Sequence, residues 1–141
     1  MAANILVVDD SGTMRGMIKR MLTMSGLDVG EVYEAGNGIE ALAQMHAHRI
    51  GVILLDINMP VMNGVKLIKR IHDDPRLRDI PVIVASTEGS EPRIQELLAA
   101  GARGYVRKPF RPEHLRDVLA PLVGLRAQPT TGAAQSDDLS F

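Results

Sequence analysis

Ile5-Leu6-Val7-Val8-Asp9-Asp10 is the stretch that decides the fold. Four aliphatic residues run without polar alternation and stop on two adjacent acids. Such a run, bounded by turn-forming residues, reads as a strand buried on both faces, the habit of parallel sheets. The phrase recurs three times further on. Val52-Ile53-Leu54-Leu55 ends on Asp56, Val82-Ile83-Val84-Ala85 ends on Ser86, and Tyr105-Val106-Arg107 ends on Lys108-Pro109. In an open parallel sheet, ligands bind beyond the carboxyl ends of the strands. One fold would then gather three carboxylates, a hydroxyl and an ammonium in one crevice.

The intervening segments carry helical spacing. A first helix is expected over Thr13–Ser25, with Met14, Met17, Ile18, Met21 and Leu22 inward, Ser11 or Thr13 capping its start and Gly26 ending it. A weaker strand at 30–34 centres on Val32 and Tyr33. A second helix fits Gly38–Ala47, with Ile39, Leu42, Ala43 and Met45 inward. The third strand is 51–56. Asn63 is placed to cap a third helix over 64–72, built on Val65, Leu67, Ile68 and Ile71, and Asp73-Asp74-Pro75 closes it. The fourth strand is 81–86. Ser90-Glu91-Pro92 starts a fourth helix, since proline is tolerated in a first turn. There Ile94, Leu97 and Leu98 face in, and Gly101 suits the position just past the end. A fifth strand at 104–107 precedes Arg111-Pro112-Glu113 and a helix carrying Leu115, Val118, Leu119 and Leu122.

Strands alternating with helices make a (βα)₅ pattern, an α/β fold with helices on both faces of a five-stranded parallel sheet. From about Arg126 the composition changes to Pro, Thr, Gly, Ala and Gln without periodicity. The expected organisation is one domain over 1–125 and a flexible tail over 126–141.

Gross composition narrows the function classes. The 141 residues include no cysteine, which excludes disulfides, thiolate metal sites and cysteine nucleophiles. A formal net charge of −1 with interspersed signs gives no bulk attraction to nucleic acid or to a membrane surface. No signal peptide is visible, and the apolar runs are far too short to span a bilayer, so a cytoplasmic protein is expected. Aromatic residues make up 3% of the chain and Trp is absent, leaving few rings to stack on bases or flavin.

Each candidate site residue has a plain structural reading beside the chemical one. Any single Asp after a strand could cap the next helix, Ser86 could simply end a strand, and Lys108 could be a solvated lysine before a turn. Adjacent acids directly after a buried strand repel one another unless a cation resolves them. It is the joint occurrence of such residues at four strand ends that carries weight. The Lys108-Pro109 bond could also take the cis form, which would aim the lysine inward. Three carboxylates, a hydroxyl and an ammonium suit Mg²⁺-assisted phosphoryl chemistry on an aspartate, in which charge on three equatorial oxygens must be neutralised. The sequence contains neither G-x-x-x-x-G-K-[ST] nor G-x-G-x-x-G, so the phosphoryl group should come from a donor protein and not directly from ATP.

Asp9-Asp10, Asp56, Ser86 and Lys108-Pro109, together with Asp56-Ile57-Asn58-Met59-Pro60-Val61-Met62-Asn63-Gly64, resemble the receiver domain of two-component response regulators. The resemblance covers residues 4 to about 123. Within that family, Asp10-Ser11-Gly12-Thr13-Met14-Arg15, Gly104-Tyr105-Val106-Arg107-Lys108-Pro109-Phe110, Asn58 and Glu88 are similar to the stand-alone chemotaxis (CheY-like) type. The resemblance implies a doubly wound, flavodoxin-like sheet of order 2-1-3-4-5. It implies Asp56 as phosphoacceptor, and Mg²⁺ held by Asp10, Asp56 and the Asn58 carbonyl, with Asp9 acting through water. Lys108 and Ser86 would contact phosphoryl oxygens. Ser86 and Tyr105 would form the switch, and Asn58 and Glu88 would modulate loss of phosphate. The implied partners are a histidine kinase as donor, an output protein such as a flagellar motor switch, and a phosphatase. The chain would be a monomer and a signalling protein rather than an enzyme. Its output face would comprise the helix near 91–100, the strand near 104–107 and the helix near 112–122.

Other functions fit less well. An aspartate-based phosphatase would need a second acid two places after the nucleophile, where Asn58 stands. A flavodoxin-like FMN carrier would need a Ser/Thr-rich loop after the first strand and stacking aromatics. A receiver outside chemotaxis, shuttling phosphate between proteins, stays open. His46, His48, His72 and His114 read as surface residues, and Arg15, Lys19 and Arg20 as the wet face of the first helix or an aid in docking an acidic partner. The tail ends Ser136-Asp137-Asp138-Leu139-Ser140-Phe141. It either solvates a free end or folds back on the output face, where Arg103, Arg107 and Arg111 could meet its acids.

Overall fold

A computed structural model of the chain describes residues 3–56, 64–86 and 91–124. Strands and helices alternate throughout: β1 (Ala3–Val8), α1 (Gly12–Met24), β2 (Val29–Ala35), α2 (Gly38–Ala47), β3 (Val52–Asp56), α3 (Gly64–Asp73), β4 (Val82–Ser86), α4 (Glu91–Ala100), β5 (Gly104–Arg107) and α5 (Pro112–Val123). All five strands pair in parallel in the order β2-β1-β3-β4-β5. The strand order expected from the family resemblance is the one observed.

Alternation along the strands divides the interior in two, because successive side chains point to opposite faces of a sheet. Leu6 and Val8 of β1, with Ile53 and Leu55 of β3, join Ala41, Met45, Leu67, Ile68, Ile71 and Leu97 on one side. Ile5 and Val7, with Val52 and Leu54, join Ile18, Leu22, Leu115 and Leu119 on the other. Helices α2, α3 and α4 therefore cover one face, and α1 and α5 the other. Each fully buried aliphatic side chain contributes roughly 1.5–3 kcal/mol of transfer free energy. The unbroken aliphatic runs are thus the main attractive term that holds β1, β3 and β4 in the middle of the sheet.

The helix ends follow local chemistry. Ser11, not Thr13, caps α1, its hydroxyl accepting from the Met14 amide at 3.1 Å. Past Ser25, Gly26 takes φ 82°, a left-handed conformation that closes the helix without a Cβ clash. Asn37 caps α2 through the Glu40 amide at 2.9 Å, and the Glu40 carboxylate accepts from the Gly36 amide at 2.8 Å. Asn4 ties three segments together at the far end of β1. Its side chain donates to the Arg49 carbonyl at 2.8 Å and accepts from the Glu31 amide at 2.9 Å, and its backbone carbonyl accepts from Gly51 at 2.8 Å.

Four residues expected inside, Met17, Ile39, Ala43 and Leu98, lie outside. Met17 is 44% exposed, Ile39 60% and Leu98 40%. Each residue of an α-helix turns 100° from the last. Met17 and Leu98 are one step from Ile18 and Leu97, which occupy the buried stripes, and Ile39 is one step from buried Gly38. Element limits differ by a residue or two from expectation, most visibly in β2, which extends to Val29 and Ala35. The expected cap at Asn63 and the helix start at Ser90 fall outside the described residues.

Candidate functional site

The carboxyl ends of β1, β3, β4 and β5 meet at one rim of the sheet. Asp9 follows β1 directly and is 3% exposed. Its amide donates to the Ala35 carbonyl at 3.0 Å. One carboxylate oxygen accepts from the Ser11 amide at 2.9 Å, and the other from Lys108 Nζ at 3.0 Å. Asp10 is exposed beside it. Asp56 is the last residue of β3, and one of its oxygens stands 3.6 Å from the same Lys108 Nζ. Carboxylate oxygens of Asp9, Asp10 and Asp56 all lie within 4.8 Å of one another.

Lys108 enters this crevice because of where β5 ends. Its own amide donates to the Ser86 carbonyl at 2.8 Å, extending the β4–β5 ladder by one bond. The Lys108-Pro109 peptide is cis, one of the two forms the sequence left open. The lysine side chain is only 12% exposed, as is that of Asp56. Ser86 is buried at 1% exposure on the last position of β4. Tyr105 of β5 is half-buried, and its hydroxyl donates to the Ser86 carbonyl at 3.3 Å. The structure thus brings Asp9, Asp10, Asp56 and Lys108 together at one rim, with Ser86 and Tyr105 linked to it through β4 and β5. Asn58 and Glu88 lie outside the described residues.

Electrostatics favour a cation here. Three carboxylates this close repel one another, and Lys108 offsets only part of that charge. Carboxylate oxygens are hard ligands of the kind Mg²⁺ takes, and a partly open rim lets such an ion keep waters. The residues present fit that ion.

The reading of Arg15 as part of a wet helix face is corrected, whereas Lys19 keeps its side chain 45% exposed. Both fold across to Glu34 of β2, Arg15 Nε at 2.9 Å and Lys19 Nζ at 3.2 Å. Arg15 Nη1 also donates to the Asp9 carbonyl. The Arg15 guanidinium, hydrogen-bonded to the carboxylate, holds Glu34 below its ordinary value, with Lys19 adding to the effect and burial opposing it. The four histidines are exposed as expected, although His48 stacks on Tyr33 with ring centroids 4.0 Å apart.

Residues 5–120 match the response regulator receiver domain family. The chain belongs to that family. The receiver is 41% identical over 121 residues to the chemotaxis protein CheY1 of Helicobacter pylori, covering 85% of this chain and 96% of that one. Its fold matches the crystallised chemotaxis protein CheY4 of Vibrio cholerae with a TM-score of 0.79 at 37% identity, covering 87% and 100% of the two chains. It also matches the receiver domain of sensor histidine kinase PA1611 from Pseudomonas aeruginosa, with a TM-score of 0.77 at 27% identity over 88% and 99%. That structure has a magnesium ion coordinated in its active site cleft. Among the described residues of this receiver, no helix is long and apolar enough to cross a membrane.

Proposed function

We propose that the protein is a single-domain response regulator that accepts a phosphoryl group on Asp56 from a histidine kinase and passes the change to an output protein. The observation that carries this reading is the position of Asp56, at the end of a central strand. It lies inside a three-carboxylate cluster and 3.6 Å from the Lys108 ammonium. An Asp56 oxygen would form the new bond to phosphorus as the bond from phosphorus to the donor's imidazole nitrogen breaks. The imidazole then recovers a proton from solvent. Bound Mg²⁺, held by Asp10, Asp56 and the Asn58 carbonyl with Asp9 acting through water, would supply positive charge to the phosphoryl oxygens. Lys108 is close enough to Asp56 to meet one of those oxygens, and the Ser86 hydroxyl would donate to another.

The output route runs through β4 and β5. Tyr105 reaches the Ser86 carbonyl, so a shift of Ser86 toward a phosphoryl group would disturb the Tyr105 ring on β5, the strand that leads into α5. We assign α4, β5 and α5 as the output face on that basis. Because the chain resembles chemotaxis proteins, we take its output to be a flagellar motor switch and its setting to be cytoplasmic. Asn58 and Glu88 are proposed to tune loss of phosphate, aided by a partner phosphatase, and residues 126–141 to form an appended tail on a monomeric domain. Incubation with acetyl phosphate and Mg²⁺, followed by intact mass measurement, tests the central step. The wild type should gain one phosphoryl group and Asp56→Asn none. A modified Asp56→Asn protein, or a wild type that never gains the group, would remove Asp56 as the acceptor.

A further inference from the structure

The crevice depends on a residue outside it. Asp10 carries an exposed carboxylate that must point at Asp56, yet it sits in the short link between β1 and α1. What aims it is the peptide joining Asp9 to Asp10. A peptide unit is planar, so fixing the Asp9 carbonyl fixes the Asp10 amide and the direction in which the Asp10 Cα leaves. The Asp9 amide and both its carboxylate oxygens are held by Ala35, Ser11 and Lys108. Its carbonyl is held by the Arg15 guanidinium.

Arg15 is built for this task and not merely near it. Its Nε is clamped on Glu34 at 2.9 Å while Nη1 reaches the Asp9 carbonyl, so the planar guanidinium fork spans two strands' ends at once. Lys19 backs the same Glu34 at 3.2 Å. The Arg15 guanidinium lies beside Gly12 and Gly36, where added methyl groups would only make ordinary contacts. A methyl group on Gly12 would stand 3.4 Å from Arg15 Nη2, and one on Gly36 3.6 Å from Nη1. A lysine has a single ammonium on a flexible stem and cannot reproduce two bonds in fixed directions.

We propose that Arg15, anchored by Glu34, is a positioning residue for the acid pair, setting the Asp9–Asp10 peptide so that the Asp10 carboxylate faces Asp56. This rests on the metal site proposed above. Its sign separates it from a simple field effect. Removing a cation beside three carboxylates should tighten Mg²⁺ binding if only charge matters, and weaken it if Arg15 orients a ligand. Outer partners that orient metal ligands typically account for about 10–100-fold in affinity.

The test is Mg²⁺ titration of the full chain in the absence of any phosphodonor, followed by the chemical shifts of the Asp9 and Asp10 amides, with urea unfolding of the metal-free proteins alongside. Arg15→Met should weaken Mg²⁺ binding by roughly tenfold and displace the Asp10 amide resonance. Arg15→Lys, which keeps the charge, should weaken it severalfold. Should Arg15→Met not fold, Arg15→Lys and Glu34→Gln carry the same expectation. Binding by a folded Arg15 variant that equals or exceeds wild type overturns the assignment while leaving the metal site intact. A wild type that binds no Mg²⁺ overturns both, because there is then nothing to position.

Discussion

Asp9, Asp10 and Asp56 place three carboxylates within 4.8 Å, and the Lys108 ammonium answers two of them. Sites arranged for function commonly cost stability, and relieving the conflict commonly returns about 0.5–2 kcal/mol. Asp10→Asn is therefore expected to stabilise the metal-free protein by about 1 kcal/mol, read as a higher urea midpoint with an unchanged slope. The same variant should show no further gain when Mg²⁺ is added. A metal-free Asp10→Asn protein less stable than wild type would mean that the repulsion is already resolved by Lys108. At this scale the sequence was highly legible for Asp9, Asp10, Asp56 and Lys108, because each follows an aliphatic run whose end locates it. Arg15 was not legible. Its two partners lie six and nineteen residues away on other elements, and helix periodicity alone puts it on the outer face.

Elements reveal a second electrostatic feature, the Arg15–Glu34–Lys19 bridge between α1 and β2. Glu34 is held below its ordinary value near 4.5 by the Arg15 hydrogen bond, with Lys19 assisting. A carboxylate depressed in the folded state binds fewer protons there than in the unfolded chain. Its contribution to stability is then fully present above about pH 4.5 and is lost as pH falls through the lower folded value. Glu34→Gln should flatten the acid side of the stability profile below about pH 4.5, leaving its slope at neutral pH unchanged. Because Glu34 is about a third exposed, the difference should shrink when salt is raised. Parallel acid limbs for the two proteins would show that the bridge does not couple to folding. The helices themselves were readable to within a turn. Met17, Ile39, Ala43 and Leu98 were misplaced because apolar residues next to a buried stripe cannot be told from members of it by composition.

Across the whole molecule, the expected layering appeared because three consecutive aliphatic runs leave no polar face to expose. Their order in the sheet did not follow from the runs themselves, since parallel pairing is compatible with several orders, and it was the family resemblance that supplied it.

One feature of this layering reaches beyond packing. β1, β3 and β4 each have a partner strand on both sides, and residues 5–8, 52–55 and 82–86 are buried. Their amide hydrogens should exchange with deuterated solvent only when the entire domain opens. A ligand that binds only the folded state then slows all of them by the same factor, about tenfold for each 1.4 kcal/mol it adds. Saturating Mg²⁺ should thus retard Leu6, Leu54 and Ile83 equally, although the cation would sit at one rim, while amides in the edge strands β2 and β5 respond less. Unequal retardation among the three would reveal that one of the two apolar layers can open without the other. The middle of the sheet becomes an isotopic clock for occupancy of its rim, readable at residues that never touch the ion.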